Sequence, residues 1–448
     1  MDKTFFSFVF GCRVNEAEKI RMDRELLSYG FSFTDVSPAF YIINSCAITA
    51  KAEREVRQHI YQTLKRYPHT TIIVTGCSAT EWMNSDVQPP ERTHFLSNEH
   101  KRNIVPYILT LLKEPVLASS FAPPCRGEVT DKFMQSGRLT IKIQDGCTRF
   151  CSYCIVPQLR GTPTSSSIAS IVQEIQGSSF PLDSIKEVVL TAINTEYFGK
   201  ESGQTIMDLV DAICKETTVP RISFGSINPW SITDDFLSWY KHNSQNSRLV
   251  HFFHIPIQSG SDSVLTRMNR QYTTQELFKK ITAIKAINPL AFIGTDVIVG
   301  FPGETDVEFE ETRKFLVNSS IDRFHIFRFS LRPHTAAETM IQMLGEPTPA
   351  EKATRSQTLL SIGETHLTQF MQNNISRTTS ALCLEPYKDG LQEALLDNQL
   401  PVYIQTDPLP AGTIVSIEIT EMKNGRLRGR IKNAECRMHN YKLQITNY

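Results

Sequence analysis

Residues 143–161 read IQDGCTRFCSYCIVPQLRG. Three cysteines, Cys147, Cys151 and Cys154, stand in the spacing C-x3-C-x2-C directly after LTIKIQDG, an apolar, β-branched run that reads as a buried strand. Taken alone, Cys151-x-x-Cys154 fits half of a zinc site or a redox pair. A zinc knuckle, however, needs a second ligand pair close by, and no Cys or His follows Cys154 within about twenty residues. A thioredoxin-like pair has no use for Cys147. Three soft thiolates on one loop suit an iron–sulfur cluster. A cubane held at three corners leaves one iron without a protein ligand, and such an iron can bind a substrate.

From that first strand onward, six strand-like segments alternate with helices. The strands read LTIKIQDG, KEVVLTAI, RISFGSI, LVHFFHIPIQ, AFIGTDVIVGF and RFHIFRFSLR. Between them, SIASIVQEIQ carries one apolar stripe of Ile168, Ile171, Val172 and Ile175. Thr273-x-x-Glu276 and Thr305-x-x-Glu308 are capping boxes that open two later helices. The alternation predicts a parallel β/α barrel, shorter than the eight-fold form and open on one side, with its chemistry at the carboxyl ends of the strands. The cysteine loop follows the first strand and belongs at that face.

Upstream, FFSFVFGC, FYIINSC and TIIVTGC each end a buried-strand pattern in a cysteine: Cys12, Cys46 and Cys77. Helical patterns lie between them, with Val56, Ile60 and Leu64 recurring at i, i+4, i+8 in the second. The cysteines are spaced by about one βαβ repeat. Parallel strands put their carboxyl ends along one edge, where open α/β sheets bind ligands, so three thiols distant in sequence converge on one crevice. The remaining four, Cys125, Cys214, Cys383 and Cys436, are scattered and read as buried or incidental.

At 448 residues the chain is long enough for two or three domains. Forty-seven basic and forty-seven acidic side chains cancel, so contact with nucleic acid has to come from local basic patches. No apolar run approaches the length of a membrane helix, and FFSFVF is too short for a signal sequence, which points to a cytoplasmic protein without a membrane partner. Thiols clustered in such a chain indicate metal or redox chemistry rather than disulfides.

C-x3-C-x-aromatic-C on the first loop of a β/α barrel resembles the signature of radical S-adenosylmethionine (SAM) enzymes. GCRVNEAE, IINSCAIT, IIVTGCSA, IKIQDGCTRFCSYCIVP, HIPIQSGSDSVLTRMNRQYT, DVIVGFPGET and FHIFRFSLRPHTAA extend the resemblance, in order, to the radical-SAM methylthiotransferases. The resemblance implies an α/β protein in three parts. These are an N-terminal Rossmann-like domain (1–115), a partial (β/α)6 radical-SAM barrel (133–365) and a small C-terminal TRAM-like β-barrel (373–448) that binds RNA. It also implies two [4Fe-4S] clusters: Cys147, Cys151 and Cys154 for the one that binds SAM, and Cys12, Cys46 and Cys77 for an auxiliary one that holds the transferred sulfur. Tyr153, Asn194, Gln258 and Ser259 are the expected contacts to SAM, and a reducing electron donor is required.

GCRVN resembles the branch that adds a methylthio group to C2 of N6-threonylcarbamoyladenosine beside the tRNA anticodon. The alternatives are isopentenyladenosine in tRNA, ribosomal protein S12, or a non-catalytic iron–sulfur RNA-binding relative. DNA is not expected as a partner. In the tail, LCLEPYKDG, PVYIQTD, GTIVSIEIT and RLRGRIK alternate as short strands. Period-two placement puts Arg426, Arg428 and Arg430 on one face, either for phosphate contacts or as a solvated edge. The chain departs from the family pattern in lacking an Arg after Arg160-Gly161. It also has Asn228 for a usual Glu, Arg328 for a Pro and His334 for a Gly.

Overall fold

The computed structural model describes residues 2–114, 136–177, 184–386 and 390–433. The three cysteine-ended runs become β1 (Thr4–Val9), β3 (Phe40–Ser45) and β4 (Thr71–Gly76). They are the inner strands of a five-stranded sheet ordered β2-β1-β3-β4-β5, with the short β2 (Ser32–Phe33) and β5 (Thr93–Leu96) at its edges. Every pairing is parallel. Helices α1 (Arg13–Ser28), α2 (Ala50–Arg66) and α3 (Cys77–Asn84) each begin just past a strand end. Cys12 is therefore the N-cap of α1 and Cys77 the first residue of α3, while Cys46 directly follows β3.

The central region has β6 (Arg138–Asp145), β7 (Thr164–Ser165), β8 (Glu187–Ala192), β9 (Arg221–Phe224), β10 (Phe252–His254), β11 (Phe292–Val299) and β12 (Arg323–Arg328). They form two sheets, β7-β6-β8-β9 and β10-β11-β12, joined by a parallel bridge between Ile222 and Leu249. Six parallel strands thus make one curved wall, and among the described residues no ladder closes β12 onto β6. The strand expected over residues 249–258 shrinks to three residues, because Pro256 has no N–H to continue the ladder. Both expected capping boxes are present, at Thr273/Glu276 and Thr305/Glu308. Ile171, Val172 and Ile175 are buried from the helix Ile168–Gln176 into the large apolar core of this wall.

A 25-residue helix, Pro349–Asn373, leads into a closed barrel. Its strands are β13 (Thr378–Pro386), β14 (Leu391–Leu396), β15 (Pro401–Gln405), β16 (Ile414–Lys423) and β17 (Arg426–Asn433), in the order β13-β14-β15-β17-β16. Cys383 is buried in its core and Cys214 is half-buried; Cys125 and Cys436 lie outside the described residues. No helix among the described residues is long and apolar enough to cross a membrane.

Glu187, on β8, ties the two barrels together. Its carboxylate meets Arg138 (3.3 Å), Arg221 (3.1 Å), Ser223 Oγ (2.7 Å) and, from the terminal barrel, Gln399 Nε2 (2.7 Å). Arg221 continues to the carbonyl of Leu396 at 2.8 Å. Burial pushes the Glu187 carboxyl up, but Arg138, Arg221 and the Ser223 hydroxyl outweigh it and hold it at about 2. A carboxyl so depressed contributes its stability fully above the ordinary range near pH ~4.3 and loses it as pH falls from there toward 2. Glu187→Leu leaves two buried arginines uncompensated and is expected to cost about 3–5 kcal/mol. It should also flatten the acid limb of stability in chemical denaturation measured from pH 6 down to 3.

Candidate active site between two thiol trios

All six expected cysteines follow the carboxyl ends of parallel strands, and the two trios approach one another. Cys12 lines a cavity of about 630 Å³ together with Cys147, Cys151 and Cys154. Gly11, at φ +95°, is where the chain turns out of β1, and a Cβ there would fall 2.6 Å from both Cβ and Sγ of Cys46. Only glycine combines that backbone with so close a neighbour. Burial pushes the Cys12 and Cys46 thiols up, and repulsion from Cys77 adds to both. Burial likewise pushes Cys147 and Cys154 up, and Cys151 adds repulsion to both.

The donor chemistry fits iron–sulfur clusters. All eight cysteines among the described residues are free thiols. Burial pushes Cys46 and Cys154 up to about 12, so these thiols ionise only against a metal's positive charge. N–H donors point at the sulfurs: Arg149 N and Asn194 Nδ2 to Cys147 (3.5 and 3.7 Å), Arg270 Nη1 to Cys151 (3.5 Å) and Asn98 Nδ2 to Cys77 (3.7 Å). Such bonds stabilise the thiolate form and tune a cluster's potential. Among the described residues, His254, Asp296 and His325 form the His/Cys/Asp/Glu group whose ligand atoms all lie within 4.8 Å of one another.

Around the cavity, Trp230 is clasped between the guanidinium groups of Arg149 and Arg270, each 4.4 Å from its ring centroid. Its indole N–H donates to Asn194 Oδ1 at 2.9 Å, which orients the Asn194 amide toward Cys147. Tyr153 also lines the cavity and packs edge-on to Phe301. Gln258 and Ser259 are placed differently. The Gln258 backbone bridges to β11 at φ +70°, and the Ser259 hydroxyl is buried against Thr312 Oγ1 at 3.1 Å, so this turn is held by its own bonds. Asn228 accepts from both the amide and the hydroxyl of Thr195, and His334 keeps a left-handed φ of +62°, the conformation a glycine would supply there. Nothing in the structure explains the missing Arg after Gly161.

One connection is invisible in motif spacing. Arg160, at the end of the cysteine loop's short helix, is buried against Glu18 (3.0 Å), Asp145 (2.9 Å) and Asn15 Oδ1 (2.7 Å). Glu18 is also paired with Lys101 at 2.5 Å and Lys142 at 2.8 Å. Burial pushes the Glu18 carboxyl up, and these cations overcome it and hold it well below the usual range. The Arg160 charge favours the thiolates of Cys12, Cys46 and Cys77, so a residue of the central barrel acts on the thiols of the first sheet.

Comparison with known proteins decides the family. Residues 141–316 match the Radical SAM superfamily and residues 4–92 match Uncharacterized protein family UPF0004. A threonylcarbamoyladenosine tRNA methylthiotransferase of Thermotoga maritima is 35% identical over 345 residues, covering 75% of this chain and 77% of the relative. The chain belongs to the radical-SAM methylthiotransferase family. A tRNA-2-methylthio-N(6)-dimethylallyladenosine synthase of Cronobacter sakazakii is 29% identical over 461 residues, 98% of this chain and 94% of that one. Among solved structures, the radical-SAM methyltransferase TsrM of Kitasatospora setae shares the fold with a TM-score of 0.53 at 10% identity, covering 73% of each chain.

As a radical-SAM methylthiotransferase the protein is an enzyme, a transferase that uses SAM and a 4Fe-4S cluster. That pair, when bound, supplies radical chemistry at a C–H bond, which no side chain can perform. What the chain itself contributes is placement. Its strand ends bring Cys12 and the three thiols of the cysteine loop to one cavity, and the Arg–Trp–Arg clasp forms part of the cavity wall.

Proposed function

We propose that this enzyme adds a methylthio group to C2 of N6-threonylcarbamoyladenosine beside the anticodon of tRNA. In this reading Cys147, Cys151 and Cys154 hold the cluster that binds SAM, and Cys12, Cys46 and Cys77 hold a second, sulfur-bearing cluster. The observation that carries it is the shared cavity: Cys12 faces the same space of about 630 Å³ as the other trio, so a sulfur donor and a radical source can reach one nucleoside. The substrate assignment is supported by the GCRVN stretch and by the function named for the Thermotoga relative.

The terminal barrel supplies a surface for tRNA. Arg426 and Arg428 flank Tyr403 on its outer side at 5.1 and 5.9 Å, with Arg430 farther along the same strand, while Leu427 between them is buried. Guanidinium groups beside a half-buried aromatic suit phosphates and an unstacked base. Asn194 and Tyr153 are the proposed SAM contacts, and an external reductant feeds the clusters. Nucleoside mass spectrometry of tRNA from cells with and without the gene tests the assignment. The 2-methylthio form of threonylcarbamoyladenosine should vanish without it, leaving the unthiolated nucleoside. Loss of 2-methylthio-isopentenyladenosine, or of the modification on ribosomal protein S12, would instead select those substrates.

A further inference from the structure

The inward face of β10, β11 and β12 carries charged groups that neither the clusters nor the proposed SAM contacts use. Side chains alternate along strands, so Phe252 and His254, Gly294 and Asp296, and Arg323, His325 and Phe327 share one face, and all of them line the cavity. The parallel register sets His254 opposite Gly294, Gly294 opposite Arg323 and Asp296 opposite His325. Gly294 therefore lies between His254 and Arg323 as the floor of a niche; a Cβ there would come within 3.2 Å of His254 Nδ1.

Asp296 engages both imidazoles, through His254 Nε2 at 3.0 Å and His325 Nδ1 at 3.4 Å. Donation to a carboxylate puts the proton of a neutral His254 on Nε2, which leaves Nδ1, the atom beside Gly294, as an acceptor. The Arg323 guanidinium makes no hydrogen bond or ion pair with another described residue. The niche thus offers one oriented acceptor and one uncommitted guanidinium, flanked by Phe252 and Phe327. A branched alkyl arm placed there would leave both polar groups without partners, which costs binding. A ureido N–H and a carboxylate answer them in kind.

We propose that this niche is the receptor for the N6 arm of the substrate nucleoside. Arg323 takes the arm's carboxylate, His254 Nδ1 accepts a ureido N–H, and Asp296 with His325 are positioning residues that fix the imidazole. The inference rests on the threonylcarbamoyladenosine reading and names the residues that read it. It requires the acid, not merely the bulk, of the arm to be recognised.

The test compares the reconstituted holoenzyme on two tRNAs differing only in whether the threonyl group ends in a carboxylate or in its amide. Wild type should prefer the acid by about 100-fold in kcat/KM, mainly through KM, as loss of a charge-assisted pair predicts. Arg323→Leu should lose that preference by raising KM for the acid alone, and Arg323→Lys should recover part of it. Equal use of acid and amide by wild type would overturn the receptor while leaving the nucleoside assignment intact, and that comparison needs no variant to fold. Activity on dimethylallyl tRNA but not on threonylcarbamoyl tRNA would overturn both. Titration of the holoenzyme with Mn²⁺, followed by its EPR signal, covers a remaining outcome. One bound equivalent that disappears in His325→Ala would make the trio a metal site and overturn the assigned imidazole roles.

Discussion

Replacing Cys147, Cys151 and Cys154 together by alanine is expected to abolish 5′-deoxyadenosine release from SAM and to lower bound iron to about half. The same replacement of Cys12, Cys46 and Cys77 should also halve iron, yet retain 5′-deoxyadenosine release while abolishing the methylthio product. The asymmetry follows from where the thiols stand. Asn194 and Arg270 donate to sulfurs of the first trio only, beside Tyr153 and the Arg–Trp–Arg clasp, and the proposed reading places SAM at that trio. The second trio is set in the other sheet, and Cys12 alone of its members lines the shared cavity. Each loss should be complete, at least about a thousandfold, because no other thiol among the described residues lines the cavity as a replacement. The reading fails if the second triple variant loses 5′-deoxyadenosine release as thoroughly as the first. Iron assay and product chromatography on anaerobically reconstituted protein decide it.

Much of this was legible because strand and helix signals agreed with the fold around them. The runs ending in Cys12, Cys46 and Cys77 are apolar on both faces, as inner parallel strands must be, and they took the central places in the first sheet. The edge strands β2 and β5 escaped notice because two to four residues carry no period. β14 escaped for a different reason. Its sequence, LQEALL, is made of helix formers, and it is held as a strand by antiparallel pairing to β13 and β15. Within the site, residues spaced as ligands could be read from the chain, since the spacing itself carries the chemistry. Trp230, Arg270, Arg160 and the His254–Asp296–His325 group could not. Their partners are as many as 145 residues away, as Asn15 is from Arg160, and only strand register and helix docking bring them together.

Arg160→Met should loosen the junction between the first sheet and the central barrel. Its guanidinium side chain is 1% exposed and bonds Glu18 and Asn15 on α1 as well as Asp145 at the end of β6. Removing one partner of a buried charge network costs about 3–5 kcal/mol. Here the lower end applies, because Lys101 and Lys142 still neutralise Glu18. A further consequence separates this loss from ordinary destabilisation. The arginine charge acts on Cys12, Cys46 and Cys77, so without it a cluster held by those thiols should become harder to reduce, and one held by Cys147, Cys151 and Cys154 should keep its potential. Arg160→Lys should restore much of the potential but little of the stability, since an ammonium keeps the charge and loses the planar fork that spans Glu18, Asn15 and Asp145. Urea denaturation reports the first quantity and EPR-monitored redox titration the second; a shift of both potentials by equal amounts in Arg160→Met would remove the electrostatic part of the argument and leave the residue a structural tie alone.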